Sequence, residues 1–225
     1  MKTETLQQIA YVRVGVALRG KVIPAEGDAA EVPLEWDWEA AVKHEIPPNF
    51  GRHWVGLVLQ MRDLDPDKGV QWEQVIRTEL EVRKSPNWLC PGQILFQPKG
   101  GRYFAVYLRE VPYLAVASPH LFIIEVKAAS LSRCLPEFLA WQLNQAPVMK
   151  QLEQGALGST QLGVRAQQLK DVSVVLPPIS TQQQIVKTNR LIQQEITLHQ
   201  QLIDNRRETM KSIAHQLTSQ TEKND

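Results

Sequence analysis

From Ile185 onward the chain repeats an alternation of four and three residues. Ile185, Asn189, Ile192, Ile196, His199, Ile203, Arg206, Met210, Ile213 and Leu217 fall on one seam, uninterrupted by Gly or Pro, which is the spacing of a coiled coil. Pro177 and Pro178 forbid helix just before it, and Ser180 and Gln183 stand at the spacing of a capping box, so the pattern predicts one helix over 179–218. About 38 helical residues make a rod of roughly 57 Å, longer than a small domain is wide, so the helix is expected to project. Its seam needs an apolar partner, from this chain or from another molecule. Folding back on its own domain is the weaker reading, because globular helices are usually shorter.

The pattern upstream is mixed. Leu6, Ile9, Ala10 and Val12 suggest a short amphipathic helix, and Val14 to Val22, with Gly15 and Gly20, reads as strand and turn. Ile23 to Asn49 carries Pro24, Pro33, Pro47 and Pro48 with an acid excess and Trp36 and Trp38, a loop with a short helix around Glu35 to Val42. Trp54 to Met61 is a strand, and the Asp63 to Gly69 stretch is dense in turn formers. Gly92 to Tyr107 reads as two strands joined by Gly100-Gly101. In the strand region Val111 to Val126, the run Leu121-Phe122-Ile123-Ile124 is apolar enough for burial on both faces. Pro136 opens a helix through Leu143, a second follows around Pro147 to Leu152, and Val172 to Leu176 is the last strand. The expected class is α+β: one mixed α/β domain over 1–178, a long coiled-coil helix over 179–218 and a disordered tail over 219–225.

Composition narrows the class. Residues are 43% apolar and 22% charged, as in a soluble globular protein. The sequence shows neither a signal-peptide pattern nor a bilayer-length apolar run, and Cys90 and Cys134 lack metal-ligand spacing, so a cytoplasmic, reduced protein without membrane contact is expected. Lys plus Arg number 25 against 24 Asp plus Glu, so any attraction to nucleic acid must be local. Such a window exists: between Glu81 and Glu110 there is no acid, while Arg83, Lys84, Lys99, Arg102 and Arg109 fall inside. Its hairpin tip, Lys99-Gly100-Gly101-Arg102-Tyr103, combines cations, an aromatic ring and glycines that leave backbone N–H groups uncovered for a phosphate backbone or base edges. A solvated hairpin touching nothing is an equal reading of these residues alone.

Catalytic constellations do not emerge. Pro47-Pro48-Asn49-Phe50 holds the letters of an amino-methyltransferase motif in the wrong order, and Pro66-Asp67 with Glu81-Val82-Arg83-Lys84 misses nuclease spacing by one residue. The Asp63–Gly69 run suggests a calcium loop, but its Gly is misplaced and Pro66 breaks the ligand alternation. His44, His53, His120, His199 and His215 lack metal spacing, and no phosphate-binding loop occurs. A non-catalytic protein with no cofactor and no metal is expected.

The ordered motifs resemble the specificity subunit of type I restriction-modification systems, in a half-length form with one target recognition domain. Gly92-Gln93-Ile94-Leu95-Phe96 is similar to that family's Gly-Asp-Ile-Leu-Phe, Ser118-Pro119-His120-Leu121 to Ser-x-His-Leu, and Pro136-Glu137-Phe138-Leu139 to Pro-Glu-Tyr-Leu. Gly158-Ser159-Thr160-Gln161 matches its Gly-Ser-Thr-Gln loop, and Leu176-Pro177-Pro178-Ile179 through Gln182 resembles Leu-Pro-Pro-Leu-x-Glu-Gln before a long helix. Gln93 and Thr181 depart from the family's Asp and Glu.

The resemblance implies a domain that reads half of a bipartite double-stranded DNA site. It also implies a helix that acts as spacer and docks methyltransferase subunits, with restriction subunits left open as further partners. Typical members carry two recognition domains and two such helices packed antiparallel, whereas this chain has one of each, so a homodimer is expected, with pairing to a different specificity chain as the neighbouring alternative. In an antiparallel register centred between residues 197 and 198, Ile185 meets Met210, Asn189 meets Arg206, Ile192 meets Ile203 and Ile196 meets His199. Leu191, Leu198 and Leu202 form a second apolar stripe. The expected DNA contacts are Lys99, Gly100, Gly101, Arg102 and Tyr103 first, then Arg52, Arg62 and Lys68. Thr160 and Gln161 either join them or brace the domain. A freestanding dimeric DNA-binding regulator is the alternative.

Overall fold

The computed structural model describes residues 2–17, 53–81, 87–100, 102–156 and 163–221. The expected loop and helix between 23 and 49, and Arg52, Arg83, Lys84, Gly101, Thr160 and Gln161, lie outside them. The chain divides into two compact units, Met1–Gln184 and Ile185–Asp225.

The first unit opens with strand β1 (Lys2–Thr5), the single-turn helix α1 (Leu6–Ile9) and strand β2 (Ala10–Val14). The apolar spacing at the start of the chain therefore yields only one helical turn, which Thr5 and Gln8 close as a capping box. Tyr11, Val12 and Val14 then favour extended backbone, as β-branched and aromatic residues do. Next come β3 (His53–Leu59), the two-residue strands β4 (Leu64–Asp65) and β5 (Gly69–Val70), and β6 (Ile76–Glu81). The middle of the chain supplies β7 (Ile94–Gln97), β8 (Phe104–Tyr107), β9 (Ala115–Ala117) and β10 (Phe122–Val126). After these stand helices α2 (Pro136–Leu143), α3 (Ala146–Ala156) and α4 (Ala166–Asp171), then strand β11 (Ser173–Leu176).

Four sheets result. A four-stranded sheet runs β2-β10-β7-β8, a three-stranded one runs β6-β3-β9, and β1-β11 and β4-β5 are pairs. In the three-stranded sheet β3 and β9 are parallel, and β3 and β6 antiparallel. The apolar run around β10 is explained by its place between two cores. Phe122, Ile124 and Val126 join Ile94, Phe96 and Ala105, with Leu139 and Leu143 of α2 and Val148 and Leu152 of α3, on one side. Leu121 and Ile123 join Leu95, Phe104 and Val106 with β3 and β9 on the other. A strand covered on both faces has no polar alternation to display.

The first and second thirds of the unit are tied by a close approach. Gly15 donates its amide to the Leu121 carbonyl at 3.0 Å, and Val16 donates to that of Ala117 at 2.8 Å. A Cβ at Gly15 would stand 2.1 Å from the Ser118 oxygen and 2.4 Å from the Ala117 oxygen. Only glycine leaves room for that contact.

The long helix predicted over 179–218 is α5, Ile179–Thr221, of 43 residues. It begins one residue before Ser180, so Ser180 lies inside the first turn rather than capping it. The Pro178 carbonyl accepts the Gln182 amide at 3.1 Å. The Gln182 side chain, fully buried, anchors the turn: its Oε1 accepts the Leu135 amide, and its Nε2 donates to the carbonyls of Arg133 and Pro177.

Candidate nucleic-acid interface

Strands β7 and β8 form an antiparallel hairpin in which Ile94 pairs with Tyr107 and Gln97 with Phe104. Its limbs are buried from Ile94 to Gln97 and from Phe104 to Val106, whereas Lys99, Gly100 and Arg102 at the tip are exposed. The two cores thus fix the limbs and leave the cations in water. Tyr103 is half-buried and packs against the core cluster that contains Phe96 and Ala105. Gly100 has φ +93, a conformation that favours glycine. Gln97 donates from Nε2 to the Lys99 carbonyl at 3.1 Å.

A second segment lies on the same tip. The Val164 amide donates to the Pro98 carbonyl at 2.9 Å. Gly163, with φ +146, approaches so closely that a Cβ there would sit 2.8 Å from Lys99 Cγ and 3.0 Å from the Pro98 oxygen. The residue that follows the expected Gly-Ser-Thr-Gln region so closely is thus seated on the basic hairpin. Thr160 and Gln161 themselves lie outside the described residues.

The other expected contacts sit nearby in sequence space but on separate elements. Exposed Arg62 lies in a 3₁₀ turn, its Nε 3.6 Å from Asp63 Oδ1. Asp63 is buried, and burial raises its carboxyl pKa above the ordinary value despite Arg62 and the Gln60 amide. Lys68 belongs to the β4–β5 turn, where Asp65 Oδ1 accepts the amides of Asp67 and Lys68, both at 2.8 Å. That aspartate is engaged as a turn former. Among the described residues no group of three or more His, Cys, Asp or Glu is placed to hold a metal ion. The turn abuts the hairpin: a Cβ at Gly69 would meet Val106 Cγ1 at 3.8 Å.

Four further side chains brace the unit without a signal in the sequence. Asn144 clasps β8, its Oδ1 accepting the Ala105 amide at 2.7 Å and its Nδ2 donating to the Ala105 carbonyl at 2.8 Å. Gln142 and Gln151 clasp β11 in the same manner, at Val175 and Ser173 respectively. Glu4 on β1 pairs with Arg133 and, at 3.1 Å, with Lys2. The hydrogen bond from Arg133 lowers the Glu4 carboxyl pKa against the opposing pull of burial. The departure at Gln93 also has a local account. Its Oε1 accepts the Cys90 amide at 3.0 Å, while its Nε2 donates to Glu125 at 3.1 Å. An aspartate could make the first contact but would set a carboxylate toward Glu125.

The second unit is the body of α5. Of the expected seam, Ile185 and Asn189 are half-buried, whereas Ile192, Ile196, His199, Ile203, Arg206 and Met210 are exposed. Leu191, Leu198 and Leu202 are exposed as well. His199 Nε2 lies 3.9 Å from Glu195 Oε1. Among the described residues no helix is long and apolar enough to cross a membrane.

Comparison with known proteins adds the family. Among solved structures, the HsdS subunit from Thermoanaerobacter tengcongensis superposes with a TM-score of 0.53 at 12% identity, over 89% of this chain and 44% of that one. A second structure, described as the structural basis underlying complex assembly and conformational transition of the type I R-M system, gives a TM-score of 0.49 at 14% identity, over 87% of this chain and 39% of that one. The chain thus spans less than half the length of either. The first of these likenesses shows an HsdS-like α+β fold with a long C-terminal helix. No curated protein matches the sequence. The profile of the type I restriction modification DNA specificity domain, Methylase_S, matches residues 73–205, more than half of the 225 residues, and the chain belongs to that family.

Proposed function

We propose that this chain is the non-catalytic DNA recognition subunit of a type I restriction-modification complex. It reads one half of a bipartite target through its first unit, pairs with a second copy through α5 in antiparallel register, and docks methyltransferase subunits. What carries the reading is exposed Lys99, Gly100 and Arg102 on a hairpin whose limbs are buried in two cores, within a chain of the DNA specificity family. Cations on a fixed scaffold can meet phosphates without the backbone beneath them having to be ordered first. The exposed Ile192, Ile196, Ile203 and Met210 of α5 support pairing, because an apolar seam of that length is stabilised by a partner helix. Two identical domains related by a twofold axis read a palindromic bipartite site.

The decisive experiment is reconstitution with methyltransferase subunits followed by mapping of the methylated bases. Methylation at a palindromic bipartite sequence is the expected result. Tight DNA binding by the chain alone, with no copurifying methyltransferase and no methylation, would favour the freestanding regulator instead. Light scattering that finds only monomer at high concentration would remove the homodimer.

A further inference from the structure

Both limbs of the basic hairpin are held from outside the tip. On the outgoing limb, Gln97 holds the Lys99 carbonyl and Val164 holds that of Pro98. The return limb is the outer strand of its sheet, and there the partner is a side chain. Asn144 takes both the amide and the carbonyl of Ala105, at 2.7 and 2.8 Å. A carboxamide carries a donor and an acceptor in one plane, as a peptide group does. It therefore stands where the next strand of the sheet would stand, three residues along the chain from Arg102.

The placement of Asn144 is itself determined. It is the C-cap residue of α2, with φ −89° and ψ −2°, and its amide bonds the carbonyls of Trp141 and Gln142. At the other end of α2, the N-cap residue Leu135 gives its amide to Gln182. Helix α2 is pinned at both ends, to the hairpin by one carboxamide and to the first turn of α5 by another.

We propose that Asn144 is a positioning residue for DNA binding: its clasp on Ala105 fixes the return limb and so sets where Arg102 and Lys99 stand. This rests on the hairpin being the DNA-contacting surface. Without the clasp the outer edge of β8 is hydrated and samples more than one position. Binding must then restore the ordered one, so affinity falls although Asn144 touches no DNA.

The test is a double-mutant cycle on the full-length chain, read as affinity for duplexes enriched by the wild-type protein from a random-sequence pool. Asn144→Ala is expected to weaken binding about fivefold to tenfold. The penalty is expected to shrink in an Arg102→Ala background, because the clasp acts through the return limb that carries Arg102. An equal penalty in both backgrounds, with Arg102→Ala itself weakening binding, overturns the positioning role and leaves the hairpin reading intact. No effect of Lys99→Ala and Arg102→Ala together overturns the hairpin reading and this proposal with it. Should Asn144→Ala reduce the folded fraction, Asn144→Asp is measured in its place. It keeps the acceptor for the Ala105 amide but repels the Ala105 carbonyl, and the same outcomes apply.

Discussion

Gln182 accepts the Leu135 amide on Oε1 at 2.9 Å, although the two residues stand 47 positions apart. The same carboxamide satisfies the carbonyls of Arg133 and Pro177, each at 2.8 Å, in a place closed to solvent. Replacement of Gln182 by Leu leaves one buried donor and two acceptors without that partner. Each unsatisfied buried group costs about 1–3 kcal/mol, so a loss of roughly 3 kcal/mol or more is expected, read as a lower urea midpoint with an unchanged m-value. Gln182→Glu keeps the acceptor and loses the donor, and is expected to be as damaging.

Gly15→Ala is expected to destabilise the first unit by about 3 kcal/mol. The added carbon meets the Ser118 and Ala117 carbonyl oxygens at 2.1 and 2.4 Å, and these are backbone atoms that cannot turn aside. Thermal unfolding checks it, and a melting point within a degree or so of wild type would count against the close approach.

Acid sensitivity is expected from Glu4. Its folded-state pKa is depressed below the ordinary 4.5, chiefly by Arg133. The unfolded chain therefore binds a proton more readily than the folded one. The stabilisation is fully present above that ordinary value and is lost as pH falls through the depressed one. Asp63 runs the other way, since burial raises its pKa and acid favours its folded form. The contribution is isolated by comparing wild type with Glu4→Gln in urea titrations from neutral to about pH 3. The two stabilities are expected to converge as pH drops.

The two cysteines are expected to be poor nucleophiles in the native protein. Cys134 is buried, and burial pushes its thiol up to about 11. Cys90 is half-buried with its thiol raised for the same reason, assisted by Glu125. A chromogenic disulfide reagent at mildly alkaline pH is expected to label Cys134 only after denaturant is added, because the thiolate is the reacting species.

Lys99→Ala with Arg102→Ala is expected to weaken DNA binding roughly tenfold to a hundredfold at physiological salt. The slope of log affinity against log salt falls by about 1 for each phosphate-contacting cation removed. A relaxed preference at one base pair, with little change in slope, would instead mark Arg102 as a base reader.

What could be read from the sequence follows the range of the forces involved. The long helix was legible because its determinant is local: residues three and four apart decide it. Strand β10 was legible because burial on both faces leaves an unbroken apolar run. Strand β6 was not identified, although Ile76, Thr78 and Leu80 alternate with Arg77, Glu79 and Glu81, because its many charges resemble a loop until β3 is seen beside it. The hairpin was legible as a hairpin, and its charge as a local excess. The Asn144 brace was not, since it serves a backbone group 39 residues away, and the contacts of Gln182 were not, since the motif that ends on it does not name a partner 47 residues away. The capping expectation at Ser180 and Gln183 had the right turn and the wrong glutamine, because a neighbouring loop, rather than the helix itself, claims the buried amide.

Strand β1 pairs with β11 from Lys2 against Leu176 to Thr5 against Ser173. Strand β1 is therefore synthesised about 170 residues before its mate, which lies among the last residues before the long helix. At bacterial and eukaryotic elongation rates the wait is roughly 10–35 s, far longer than hairpin formation, which takes microseconds. During that interval the native partner of β1 does not yet exist. The domain is consequently closed by its own completion: sealing is postponed until the segment that launches α5 has been made, so the sheet that holds the start of the rod is among the last to form.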